Sequence, residues 1–128
     1  MSVTTTLDAD RYLYLVVIED ETSVAEVLTA YEALIGDPGF SPDMHAVWDL
    51  SRLDLKQWPV QEFRNLVREL KSFTRQRGTR YKAALVTSRP VDFQLLRIYL
   101  SILKLLGSDI RLRLFRQREE AYDWIAPK

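Results

Sequence analysis

Two rhythms of apolar and polar positions run along this chain. Short, nearly unbroken apolar runs alternate with longer helical stripes. Arg11 to Glu19 (RYLYLVVIE) is β-branched and aromatic, the pattern of a strand covered on both faces. After it, Val24, Val27, Leu28, Tyr31, Leu34 and Ile35 recur over an arc of roughly 120° at about 100° per residue, the core face of a helix. Ser23-Val24-Ala25-Glu26 fits a capping box at its start. Gly36 suits a left-handed residue at its end, and Asp37-Pro38-Gly39 reads as a turn.

The same alternation repeats. His45 to Leu50 reads as a second strand, and Pro59 opens a helix running to about Gln76. Proline is tolerated at a first helical position, where its missing N–H has no partner to lose. Val60, Phe63, Leu66, Val67, Leu70 and Phe73 form the core face of this helix, and Gly78 reads as its cap. Tyr81 to Val86 is a third strand, followed by a helix from Pro90 to Leu106 with Gly107 as its stop. Ile110 to Phe115 alternates Ile and Leu with Arg111 and Arg113. That period of two leaves one face wet and predicts a sheet edge. Glu119 to Ile125 is a last short helix, with Ala121, Trp124 and Ile125 facing inward.

This β-α-β-α-β-α-β-α order predicts an α/β domain with a mostly parallel, mixed sheet of four or five strands and about four helices. Residues 1–10 (MSVTTTLDAD) decide the strand count, as an edge strand or a loose arm. The expected unit is one domain over 1–128.

Composition narrows the function classes. Lys plus Arg equals Asp plus Glu at 18 each, so no net field draws the chain to nucleic acid, and no nucleic-acid partner is expected. There is no cysteine, which excludes disulfides and thiol chemistry. The N-terminus lacks a signal pattern and no span fits a bilayer, so a cytoplasmic location is expected. Gly36, Gly78 and Gly107 read as helix stops and Gly39 as part of a turn. None remains for a phosphate loop, and no cofactor is expected.

The stretch His45 to Asp54 (HAVWDLSRLD) has the polar strand end at which α/β proteins meet ligands. Asp49, Ser51 and Arg52 are candidates for a polar rim there, with Ser88 and Arg89 after the third strand. His45 is the only histidine, and Asp49 lies roughly 13 Å further along the same strand at about 3.3 Å per residue. A triad needs hydrogen-bond reach, so no catalytic residue is expected. Glu19, Asp20 and Asp49 can converge at one sheet edge as in receiver domains of two-component signalling, holding magnesium and accepting phosphate. Asp20 and Asp49 are one βα unit too close for that pattern, and no Lys follows the fourth strand. The alternative is solvated acids at a helix start, favoured by its dipole.

Two helix faces complete the candidates. Arg64, Arg68, Lys71 and Arg75 form a basic stripe on the second helix, a surface for phosphates or an acidic partner, or simply a solvated face. No aromatic residues interleave with it as base stacking requires. On the third helix, apolar residues spread over roughly 240°, against little more than 100° needed to cover a sheet. The excess predicts burial by neighbouring helices, a homodimer, or contact with an apolar ligand or lipid membrane surface. Phe93, Leu96, Tyr99, Leu100 and Leu103 are the expected partner surface.

The segments AVWDLSRLD, ALVTS, RLRLF and EEAYDWI, in this order between helices, resemble a bacterial branch of the STAS superfamily, whose named members are anti-sigma-factor antagonists. The resemblance runs from about Tyr12 to Ile125. It implies an α/β sandwich of four helices on a mixed sheet, and a protein-binding or sensory role without catalysis. Regulatory STAS domains carry an Asp-Ser-Ser-Gly-like phosphoacceptor segment at the start of the second helix. Here that region is Leu55-Lys56-Gln57-Trp58-Pro59-Val60, without a hydroxyl. The resemblance therefore implies no phosphoswitch, and Ser51 matches only the strand-end serine. The expected partner is a second copy or an unidentified protein.

Overall fold

The computed structural model describes residues 3–78, 80–105 and 111–127, with Thr74 and residues 102–105 described by backbone alone. Five strands form one sheet in the order β1 (Val3–Asp8), β2 (Leu13–Glu19), β3 (His45–Arg52), β4 (Lys82–Val86) and β5 (Arg111–Phe115). β1 is antiparallel to β2, and the remaining pairs are parallel. The polar N-terminal segment is thus an edge strand, and β5 forms the opposite edge as its alternation predicts.

The strands' alternate residues feed two cores. Tyr14, Val16 and Ile18 of β2, Ala46, Trp48 and Leu50 of β3, and Ala83 and Leu85 of β4 point to one face. There they meet α1 (Val24–Ile35), α2 (Val60–Lys71) and α4 (Pro90–Leu105) through Val27, Tyr31, Leu34, Phe63, Leu66, Leu96 and Tyr99. Leu13, Val47, Ala84 and Val86 point to the other face, where α5 (Arg118–Ile125) seats Ala121 and Ile125. Trp124 of α5 packs its ring on Phe115, with centroids 5.6 Å apart. Helix α5 lies mainly over β3 to β5 and reaches β2 at Leu13 and Leu15 of the same core. Leu15 and Val17 of β2 remain half-buried on that face, less covered than their apolar run predicts.

The capping box at Ser23 forms as expected: Glu26 N–H donates to Ser23 Oγ, and Ser23 N–H to Glu26 Oε1. Gly36 departs from expectation. It is right-handed (φ −81°), and its N–H donates to Glu32 O and Leu34 O, so the final turn tightens without a left-handed residue. The helix expected over 59–76 is broken. It stops at Ser72, whose N–H and Oγ both reach Glu69 O. A four-residue helix α3 (Thr74–Arg77) follows.

That break turns Arg77 inward. Arg77 is 6 % exposed. Its Nη2 donates to Tyr14 Oη at 2.8 Å, and its guanidinium stacks on Tyr81 at 4.2 Å and Tyr31 at 5.1 Å. Tyr14 and Tyr31 also meet at their hydroxyls, 3.3 Å apart. Among the described residues no carboxylate pairs with Arg77, so ring faces and a phenol carry its desolvation. Burial raises the Tyr14 and Tyr31 hydroxyls above their ordinary range despite the nearby cation. Gly78 then leaves α3 at φ +82°, beside Asp43. A Cβ there would clash with the Asp43 side chain and come within 2.9 Å of its backbone N. Only glycine fits this exit.

Gly107, Leu106 and Ile110, expected at the end of the third helix and the start of the fourth strand, lie outside the described residues.

Candidate functional site

The polar rim exists, but its groups are occupied by one another. Asp49 lies in the buried part of β3, one residue before Leu50, and faces the α5 side. Its Oδ1 accepts from Ser51 N at 2.9 Å, and its Oδ2 meets Arg118 Nε of α5 at 2.5 Å. Burial pushes the Asp49 carboxyl up, but the Ser51 N–H and the Arg118 guanidinium outweigh it and hold the group below its ordinary range. Arg89 donates to Leu53 O, and its Nε lies 2.8 Å from Asp92 Oδ2. This last contact is an ion pair by distance, with its N–H not aligned for a hydrogen bond. Asp92 is buried in the first turn of α4, where the helix dipole favours a carboxylate. Thr87, just after β4, is fully buried, its N–H on Phe115 O. Ser88 is exposed at the loop tip.

The three acids named as a metal candidate do not converge. Val17 pairs with Asp49, but Glu19 pairs with Arg52, so β3 carries an extra residue in between. This bulge swings Glu19 away from Asp49. Glu19 Oε1 instead takes Arg52 Nη1 at 3.2 Å, and Asp20 Oδ1 takes the backbone N–H of Asp54 at 2.6 Å. Among the described residues no three metal-ligating side chains come together. The receiver-like arrangement is therefore not built here.

What these acids do instead is anchor the β3–α2 connection. Asp54 caps the 3-10 turn Leu55–Gln57 through Lys56 N–H. Gln57 Oε1 accepts from Glu21 N–H at 3.1 Å. Trp58 is the keystone of this segment. Its indole N–H donates to Thr22 O at 2.9 Å, and its carbonyl accepts from Tyr99 Oη at 3.0 Å. One buried tryptophan thus joins the start of α1 to α4. Its position before Pro59 carried no such signal in the sequence, because its partners lie 36 and 41 positions away.

The expected apolar surface on α4 is largely turned inward. Leu96 is 0 % and Tyr99 7 % exposed, both in the core, and Phe93 and Leu100 are half-buried. The Phe93 ring lies under Arg116 at 5.0 Å. Leu103 lies outside the described side chains. The apolar residues facing solvent are instead Val91 and Ile98, each 57 % exposed, on the side shared with Gln94, Arg97 and Ser101. Val60, at the start of α2, is also exposed. The basic stripe is split: Arg64, Arg68 and Lys71 are exposed on α2, and Arg75 is exposed on α3 beyond the break.

His45 stands at the other end of β3, remote from Asp49 and Ser51 along the strand. Its Nδ1 accepts from Lys82 N at 2.9 Å, at the first residue of β4. Its ring meets Tyr12 edge-on at 6.3 Å. Burial, then the charges of Lys82 and Arg111, lower its pKa below 6.5, with Asp43 opposing. A lowered pKa means the fold prefers neutral imidazole. That stabilisation is complete above 6.5 and is lost as pH falls through the lowered folded value. The melting temperature is expected to drop between about pH 7 and pH 5, and His45→Gln to flatten that segment. An unchanged slope in the variant would assign the drop to other groups.

A cleft of about 430 Å³ lies at this same end, between the β1–β2 turn and α5, lined by Asp10, Leu13, Glu119, Tyr122 and Asp123. Arg11 from the turn also lines it, stacked on the Tyr122 ring at 4.7 Å.

No family model matches the chain, and no curated protein matches it. Among solved structures, an uncharacterised protein of the DUF3478 family with a SpoIIAA-like fold, from Shewanella loihica PV-4, superposes with a TM-score of 0.57. The match covers 97 % of this chain and 92 % of that one at 12 % identity. This chain has the SpoIIAA-like fold. That is the fold of STAS domains and anti-sigma-factor antagonists, as the segment pattern implied. Because β3 and β4 are adjacent and parallel, the β3–α2 and β4–α4 connections leave side by side at the strands' carboxyl ends. Among the described residues no helix is long and apolar enough to cross a membrane.

Proposed function

We propose that this SpoIIAA-like domain is a regulatory binding module without catalysis, acting through protein–protein contacts on the outer face of α4 and the start of α2. The observation that carries the reading is a contrast at one edge of the sheet. The ionisable groups of the rim are tied into the frame, with Asp49 on Arg118, Glu19 on Arg52 and Asp92 beside Arg89. On the helices that start there, Val60, Val91 and Ile98 are held out in solvent, next to the exposed Arg97. Val91 and Ile98 are seven positions apart, so both sit on one helix stripe. A partner offering apolar side chains and a carboxylate for Arg97 fits that stripe.

Self-association through residues 91–106 draws less support. Leu96 and Tyr99, which made that surface broad, are already used in the core. An apolar ligand or membrane surface on the same helix is weakened for the same reason.

Photocrosslinking in the host cell tests this reading. Benzoylphenylalanine placed at Val91 or Ile98 is expected to give a discrete heavier protein adduct. The same probe at Ala33, on the exposed side of α1, is expected to give none, and Ile98→Glu to abolish the Val91 adduct. Absence of an adduct at both α4 positions overturns the proposal. Recovery of lipid alone would move the reading to a membrane surface.

A further inference from the structure

The two edges of the sheet are built differently. β5 shows Arg111 and Arg113 exposed along its length, and charged side chains on an edge deter pairing with another strand. β1 carries none of the usual guards. Its six residues, Val-Thr-Thr-Thr-Leu-Asp, hold no Lys, Arg, Glu or Pro. It pairs with β2 residue for residue from Val3↔Ile18 to Asp8↔Leu13, without a bulge. Its one charge, Asp8, sits last and is engaged by the backbone N–H of Arg11. No strand lies beyond β1 among the described residues. Every second residue of β1 therefore directs backbone N–H and C=O groups outward, a template for a further strand.

We propose that the β1 edge pairs antiparallel with β1 of a second copy of this chain, in a register centred on Thr5, joining two sheets into one of ten strands. Self-complementarity carries the choice of occupant. Around a two-fold axis at Thr5, Val3 falls opposite Leu7 of the second copy, and Thr4 opposite its Thr6. Val3 and Leu7 are the β1 residues packed against the helix-side core, so apolar meets apolar on that face. Thr4 and Thr6 are exposed on the other face and would meet as threonine pairs, which are favourable across strands. The register keeps odd residues opposite odd and even opposite even, so outward backbone groups meet outward backbone groups. With 18 acidic and 18 basic residues, two copies carry no net repulsion. A C2 contact of this kind closes on itself and leaves the Arg-guarded β5 edges at the two ends.

A single six-residue strand pair is smaller than the standard interface of about 1,600 Å², so the dimer is weak, on the order of micromolar to tens of micromolar. Sedimentation equilibrium of the full chain from about 5 to 500 µM measures it over that range. Thr4→Lys with Thr6→Lys places Lys opposite Lys twice and is expected to raise the dissociation constant at least about tenfold. Thr4→Lys with Thr6→Glu places Lys opposite Glu twice and is expected to stay within about threefold of the unsubstituted chain. Both positions are exposed, and an unchanged melting curve confirms that each variant folds. A monomer at every concentration overturns the proposal, as does a dimer indifferent to the two-lysine variant. A dimer lost on Ile98→Glu but kept in the two-lysine variant would move self-association to α4, and would leave the α4 face as a homotypic rather than a heterotypic surface.

Discussion

Trp58→Ala is expected to remove about 4 kcal/mol of folding stability, within the range for truncating a buried tryptophan. Trp58 is 3 % exposed and fills the space between the start of α1, the 3-10 turn and α4. Truncation leaves a cavity and removes the indole N–H bond to Thr22 O at a buried position, and both effects act in one direction. For a domain whose whole stability is about 5–15 kcal/mol, that is a large share. Trp58→Phe separates the two effects. It keeps most of the ring and loses the N–H, so about 1–2 kcal/mol is expected. Urea unfolding checks both, with the slope against denaturant unchanged. A cost under about 1 kcal/mol for the alanine variant would mean the segment repacks without its tryptophan.

The second large effect belongs to Asp49. Asp49→Ala deletes the acceptor of Ser51 N–H and the partner of Arg118. Arg118 is 37 % exposed and regains water, so the cost stays below that of a fully buried orphan, at about 2 kcal/mol. The sign with pH is fixed by the lowered pKa. The ionised carboxylate stabilises the fold above 3.8, and this contribution is lost as pH falls through the lower folded value. Asp49→Asn lacks the carboxylate at every pH, so it is expected to be less stable near neutrality, to lose stability less steeply on acidification, and to acid-unfold at the same or a higher pH. His45 acts in a separate window nearer neutrality, so the two groups are distinguishable in one titration.

These residues also mark what could be read from the chain before its fold. The strand HAVWDLSR was legible because its apolar run is short and bounded by polar residues. The α4 helix was legible as a helix, but Leu96 and Tyr99, expected on a partner surface, are buried in the core of the same chain. Which side faces solvent was not legible. A stripe of roughly 240° has no single centre, so the wheel could not separate buried Leu96 from exposed Ile98. Arg77 was invisible for a related reason. It follows a basic stripe in sequence, and only the break at Ser72 turns it under Tyr14, Tyr31 and Tyr81. VTTTLD was ambiguous because its inward face carries only Val3 and Leu7, too few apolar positions to set a period of two apart from a polar arm. The failure of Glu19, Asp20 and Asp49 to converge depends on one extra residue in β3. Nothing in the local pattern announces a bulge of that kind.

The strand-end carboxylate of Asp49 fastens α5 to the sheet through Arg118. A double-mutant cycle with Asp49→Asn and Arg118→Gln, read by urea unfolding at pH 7, tests it most directly. A clamp predicts that the second substitution costs little once the first is made, with a coupling of about 1–2 kcal/mol. Costs that add within about 0.5 kcal/mol would show the two side chains acting independently, and would contradict the account.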